Sequence, residues 1–399
     1  MDNDFLNDEN SKVDFLEIPS GTPSEAAKFK QKDFVGGSGQ QEGEPRRQKT
    51  SLAEAHKKIL RFGTQKYVAG YDEIKGKSPP SGAVFLTEDK NQMIELVGTQ
   101  HAHQLAKTNE ALVAPMIRGI NERLRKYLEA TADNPGQRLI MIEGANAKNA
   151  TTIQERIAQQ DPMLKGLLKE HNITTEQEAI TQFGEMGAMM LAAQREGIPI
   201  MSPEPSSEEI VTKQKAEGIA VEDIALIQAV VGLDAGFYRG KLKDEKKFTQ
   251  EEVFYALQRA CQLSGWQRER AEQIKAQLSG NLQSDQQVRE AFIREILPLL
   301  NARMKENTSD FDLVNADYSW SFDPQDRETY DLLHSPASRV EVFRKMSNIS
   351  GEYRDDYILD RIHESVEAGK SPFVVYGSGH TVKLEPALAA LYNEDLHES

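Results

Sequence analysis

Met93-Ile94-Glu95-Leu96-Val97-Gly98-Thr99-Gln100-His101-Ala102-His103 is the stretch on which the reading of this chain turns. Five residues rich in aliphatic side chains run into Gly98, which predicts a short buried strand delivering His101 just past its carboxyl end. A second copy of the device stands near the other end of the chain, where Phe373-Val374-Val375-Tyr376 runs into Gly377-Ser378-Gly379-His380. With 27 glycines and 8 histidines in 399 residues, chance supplies about half a G-x-x-H, so a single match would say little. Two matches, both following strand patterns, predict two imidazoles converging at the carboxyl edge of one sheet, where open α/β sheets bind ligands.

Working outward, Ala83-Val84-Phe85-Leu86 and Met93 to Val97 flank Glu88-Asp89-Lys90-Asn91, the pattern of a β-hairpin. Apolar residues at helical spacing from Leu112 to Leu128 predict a helix starting near Val113, with Pro115 in its first turn. Asn134-Pro135-Gly136 ends that pattern, and Arg138-Leu139-Ile140-Met141-Ile142 reads as a strand carrying Glu143 at its end. Residues 151–171 are helical in composition. Thr175 with Glu178 fits a capping box opening a helix over residues 176–196, whose Gly184 and Gly187 suggest close approach to the sheet. Ile198-Pro199-Ile200-Met201 is a further short strand leading to Glu204, between two prolines. Helices are expected at about 51–67, 339–346 and 353–368, the last opened by Arg354, with Asp355 and Asp356 favouring its amino end.

The expected fold class is α/β, with α+β as the variant: a mixed central sheet, flanking helices and a helical insertion or cap. Residues 1–50 are polar and acidic with no sustained period and are expected to be a disordered tail. The core is expected in two parts, 51–207 and 327–399, separated by a helical, Gln-rich insertion over 208–326.

A net charge of −15 excludes a basic phosphate-binding face, so no nucleic-acid partner is expected. One cysteine, Cys261, excludes an intramolecular disulfide and a Cys-rich metal site. The acidic amino terminus has neither the basic nor the apolar region of a secretory signal, and nowhere do 18 apolar residues run together. A cytoplasmic protein without a membrane span is expected; its oligomeric state is left open.

His101, Glu143, Glu204 and His380 therefore form a set of two imidazoles and two carboxylates at strand ends. Such donors suit Zn, Mn, Co or Fe with one position open to water, whose pKa a bound metal lowers towards about 7. A carboxylate outside the ligand set is a candidate general base. Arg354 carries a planar fork suited to a carboxylate or a developing oxyanion. Glu185 and Asp355 are further candidates for the site.

The order of these elements resembles the Tiki/TraB family, which is grouped with erythromycin esterase and the ChaN-like haem-binding proteins. The hairpin with Gly98-Thr99-Gln100-His101, the strand with Glu143, the approach to Glu204, Arg354-Asp355-Asp356 and Gly377-Ser378-Gly379-His380 carry the likeness. It covers residues 80–390 except for about 208–326. The resemblance implies an α/β or α+β core and metal-dependent hydrolysis of a peptide or another amide or ester. His101, His380 and Glu143 would hold the metal, and Glu143, Glu204 and Arg354 would serve catalysis. The rival expectation is a non-catalytic protein of the same fold, binding haem or a small ligand or acting as a scaffold.

Overall fold

Strand β5 (Ser371–Gly377) lies in the middle of a sheet whose other strands all precede it, except the two-residue strand at Asn393–Glu394. The computed structural model describes residues 50–61, 81–89, 91–100, 102, 110–144, 150–225, 227–228 and 341–394. The expected tail apart from Thr50, most of the expected insertion, Cys261, His101 and His103 lie outside these residues.

The hairpin forms as expected. β1 (Ser81–Leu86) and β2 (Met93–Thr99) pair antiparallel, with Leu86 opposite Met93. Between them the Thr87 amide donates to the Gln92 carbonyl at 3.1 Å. β2 runs beyond Gly98, because Gly98 and Thr99 still pair with Tyr376 and Gly377 of β5. Helix α2 (Val113–Ala130) has Pro115 in its first turn, where the missing N–H is harmless. It leads to β3 (Arg138–Ile142), α3 (Ile153–Glu170), α4 (Glu176–Phe183), α5 (Glu185–Glu196) and β4 (Ile200–Met201). Helix α6 (Ser207–Ala216) follows, and beyond the undescribed segment come α7 (Glu341–Glu367), β5, α8 (Ser378–Leu391) and β6 (Asn393–Glu394). The short helix near the amino end, α1, covers Leu52–His56 of the 51–67 expected, of which residues 62–67 lie outside the described residues. Its capping box, Ser51 with Glu54, recurs as Thr152 with Glu155, Thr175 with Glu178 and Ser206 with Glu209.

The strand order is β4-β3-β5-β2-β1-β6. The first four are mutually parallel, and β1 pairs antiparallel with both β2 and β6, so the fold is α/β with a mixed sheet between helices. Both faces are buried with the two-residue period of a strand. Val97, Ile140, Ile142, Phe373 and Val375 face one core with Met116, Ile120 and Met189 of α2 and α5. Leu96, Met141, Val374 and Tyr376 face the other with Ile358, Ile362, Leu384 and Leu388 of α7 and α8. Each buried aliphatic side chain stabilises by about 1.5–3 kcal/mol. Among the described residues no helix is long and apolar enough to cross a membrane.

Two expectations are corrected. The helix expected over residues 176–196 is broken at Gly184, whose φ of 64° and ψ of −148° belong to backbone that only glycine adopts freely. Gly187 does make a close approach, but to the preceding helix: a Cβ there would be driven into the carbonyl oxygen of Ala179. The second correction concerns α7, which is one continuous helix of 27 residues instead of two. Gly351 is tolerated in its interior because packing along its length, including the Gln214–Ser350 hydrogen bond of 2.9 Å to α6, outweighs one poor helix former. Asp355 and Asp356 therefore lie in mid-helix and cap nothing.

Candidate active site

Four parallel strands lying side by side bring their carboxyl ends to one edge of the sheet. Glu143 follows β3, Glu204 follows β4, Gly377 closes β5, and Thr99 closes β2 opposite Gly377 in register. Glu204 is further fixed by its own backbone, whose carbonyl accepts from Arg156 Nη1 at 3.2 Å. Arg156 is 1% exposed, and its Nη2 donates to the Tyr357 hydroxyl at 2.6 Å, tying the start of α3 to α7.

Arg354 reaches this edge from α7 and joins the two carboxylates. One nitrogen, Nη2, donates to Glu143 Oε1 at 3.0 Å and also to Glu204 Oε1. Burial works against the guanidinium charge, but Glu204 and then Glu143 outweigh it and raise the Arg354 pKa. The two acids are not equivalent. Glu143 Oε2 accepts from the Gly377 amide at 3.2 Å, at the amino end of α8, a location where the helix dipole favours negative charge. Glu204 Oε2 has no hydrogen-bond partner among the described residues.

Asp355, the neighbour of Arg354, serves the other half of the site. It is 1% exposed; Oδ1 lies 2.6 Å from His380 Nδ1, and Oδ2 accepts from Lys383 Nζ at 3.0 Å. Burial alone would raise its pKa, but the hydrogen bond and charge of His380, with Lys383, reverse the sign and lower it. His380 lies in the first turn of α8 instead of in a loop. With Nδ1 engaged by Asp355, its Nε2 is directed away from that carboxylate.

Glu185 is brought to the same edge from the opposite face of the sheet. Its Oε2 accepts from the Ala102 amide at 2.9 Å and its Oε1 from the Thr99 hydroxyl at 3.3 Å. The Thr99 hydroxyl also lies 3.2 Å from the Tyr376 carbonyl oxygen, which links this turn to β5. Each G-x-x-H segment thus has its own buried carboxylate, Glu185 on the Thr99 hydroxyl within the first and on the Ala102 amide just after it, and Asp355 on the histidine of the second.

Glu143, Glu204 and Arg354 are therefore in direct contact. Asp355 and His380 are joined to them by the Arg354-Asp355 peptide and the Gly377 amide. Among the described residues no three His, Cys, Asp or Glu side chains are grouped as a metal site, and His101 lies outside those residues. The donors that are described suit a divalent ion chemically. A histidine whose Nδ1 is committed to a carboxylate presents Nε2, the usual arrangement of an imidazole ligand, and carboxylates such as Glu143 and Glu204 are the oxygen donors that divalent ions take.

Sequence reading missed Arg156, Tyr357, Lys383, Ser202 and Tyr376. Arg156 and Lys383 lie within helical patterns where a basic residue reads as solvated. Tyr376 carries the one available signal: a phenol closing an otherwise aliphatic strand, directly before the glycine turn. The chain matches no protein-family model, no curated protein and no solved structure.

Proposed function

We propose that this edge is the active site of a hydrolase of Tiki/TraB type that cleaves a peptide or another amide or ester with the help of a divalent metal. The observation that carries the reading is the division of labour around Arg354. One carboxylate, Glu143, is held by Arg354 and the Gly377 amide; the other, Glu204, keeps one oxygen without a partner among the described residues, at the same sheet edge as an Asp355-oriented histidine.

His380 through Nε2, Glu143 and His101 would hold the ion, which would supply polarisation of the substrate carbonyl. Glu204 Oε2 takes a proton from water as its oxygen bonds to the carbonyl carbon. The same proton passes to the leaving nitrogen or oxygen as the C–N or C–O bond breaks. Arg354 Nη1 and Nε, which have no partner among the described residues, face the charge that develops on the carbonyl oxygen. Asp355 keeps the imidazole in one tautomer throughout.

Elemental analysis of the purified full chain, beside a His101→Ala/His380→Ala variant and a Glu204→Gln variant, tests the reading. A stoichiometric divalent metal lost from the double variant but kept by Glu204→Gln is expected. Hydrolysis of a panel of peptides and esters should be lost in both. Absence of metal after reconstitution with Zn, Mn, Co and Fe, together with no hydrolysis, removes the proposal.

A further inference from the structure

Two hydroxyls at the floor of this edge are buried without a partner. Tyr376 is 1% exposed and Ser202 0%, and neither Tyr376 Oη nor Ser202 Oγ makes a hydrogen bond. Tyr376 stands near the end of β5 and Ser202 just past β4, on either side of the strand that ends in Glu143. The Tyr376 ring lies edge-on to His380, with centroids 5.9 Å apart.

The phenol is surrounded by the groups already described. Burial first, then the charges of Glu204 and Glu143, favour the neutral phenol; Arg354 and the Ser202 hydroxyl, which comes close to the phenol but not in the geometry of a hydrogen bond, offset this only in part. A phenol keeps its proton at neutral pH, so Tyr376 is a donor. The unpartnered Oε2 of Glu204 is an acceptor, and the Ser202 hydroxyl can be either.

Buried polar atoms in native proteins nearly always find a partner, in the protein or in ordered water. An internal water typically engages about three polar groups, which is what these residues provide. We propose that Tyr376 Oη, Ser202 Oγ and Glu204 Oε2 together hold a water molecule, and that this is the water consumed in hydrolysis. The second half of the inference rests on the hydrolase reading; the first does not.

The chemistry balances at the water. It accepts from Tyr376 and donates one hydrogen to Glu204 Oε2 and the other to Ser202 Oγ, leaving one lone pair for a carbonyl carbon. As the new O–C bond forms, the proton facing Glu204 moves to that carboxylate and from there to the leaving group. Tyr376 and Ser202 touch a reacting molecule and are catalytic residues in this scheme.

Crystal structures of the full chain and of Tyr376→Phe, at a resolution that shows ordered water, test the site directly. One water within hydrogen-bond distance of all three oxygens is expected, lost in the variant while the Arg354–Glu204 pair stays. Tyr376→Phe should lower kcat about 100-fold with KM little changed, and the smaller Ser202→Ala serves the same test if the phenylalanine variant does not fold. A direct bond from Tyr376 to Ser202 or Glu204 with no water between them overturns the whole inference. Water in place with full hydrolysis by Tyr376→Phe overturns the catalytic half. Water in place in a chain that hydrolyses nothing sinks that half together with the hydrolase reading, and leaves the binding site standing.

Discussion

Arg354 and Asp355 are consecutive in α7, yet their side chains serve different ends of the chain: Arg354 joins Glu143 to Glu204, while Asp355 lies 2.6 Å from His380 Nδ1. One peptide unit thus fixes the distance between the carboxylate pair and the imidazole.

Replacing Asp355 with Asn should destabilise the fold by about 2–4 kcal/mol in urea denaturation, since a buried carboxylate with two partners is lost. The pH dependence has a definite sign. The folded pKa of Asp355 is lowered, so its contribution is fully present above the unfolded value of about 3.9 and is lost as pH falls through the lower folded value. Wild type should lose stability more steeply than Asp355→Asn below about pH 4; parallel acid profiles would count against the pairing.

Arg354→Met leaves two adjacent carboxylates without their shared cation. A loss of about 2–4 kcal/mol is expected at neutral pH, smaller than for a fully buried pair because the three side chains are partly exposed. Part of this should return in mild acid, where one of two facing carboxylates takes up a proton. The triple variant Glu143→Gln/Glu204→Gln/Arg354→Met should recover most of the stability, and chemical denaturation of the set checks the non-additivity.

Glu185→Gln tests the fastening of the first turn. An amide has one acceptor oxygen for the two donors that Glu185 now serves, Ala102 N and Thr99 Oγ1, so a loss of about 1–3 kcal/mol is expected. If the chain binds a metal at the strand ends, affinity should also fall about 10–100-fold, the usual effect of disturbing the support of a ligand. Titration with a competing chelator reads the second effect separately from the first.

Two glycines distinguish close approach from mere tolerance. Gly187→Ala has to push α4 and α5 apart, because the new methyl meets the backbone of Ala179 and the Phe183 side chain, and a loss of more than about 2 kcal/mol is expected. Gly166→Ala, inside α3 with nothing within 4 Å of the added atom, should stabilise by about 0.5–1 kcal/mol. Melting curves of the two variants should therefore move in opposite directions.

Local chemistry made much of this legible in the sequence. The hairpin, β3, the start of α2 at Val113 and the Thr175 cap depend on turn residues, strand period and capping boxes within a few positions of one another. The shared edge of Glu143, Glu204 and His380 was legible too, since parallel strands in one sheet present the same end. The continuity of α7 was not, because its support comes from α6 and α8, far away in sequence. For the same reason Asp355 reads locally as a helix-capping acid, and only the fold brings His380 and Lys383 to it. Arg156 is the extreme case: its buried guanidinium holds Glu204 from 48 residues away.

The central position of β5 governs when the site can exist. β2 and β3 do not pair with each other; each pairs with β5, whose Ser371 hydroxyl accepts from the Met93 amide across 278 residues. A chain emerging from the ribosome holds both halves of the sheet apart until this strand arrives, so Glu143 and the α8 amino end meet only after residues 371–378 have been made. Contacts this remote fold slowly. The sheet therefore keeps its middle open until residues 371–377 are available to pair with both halves.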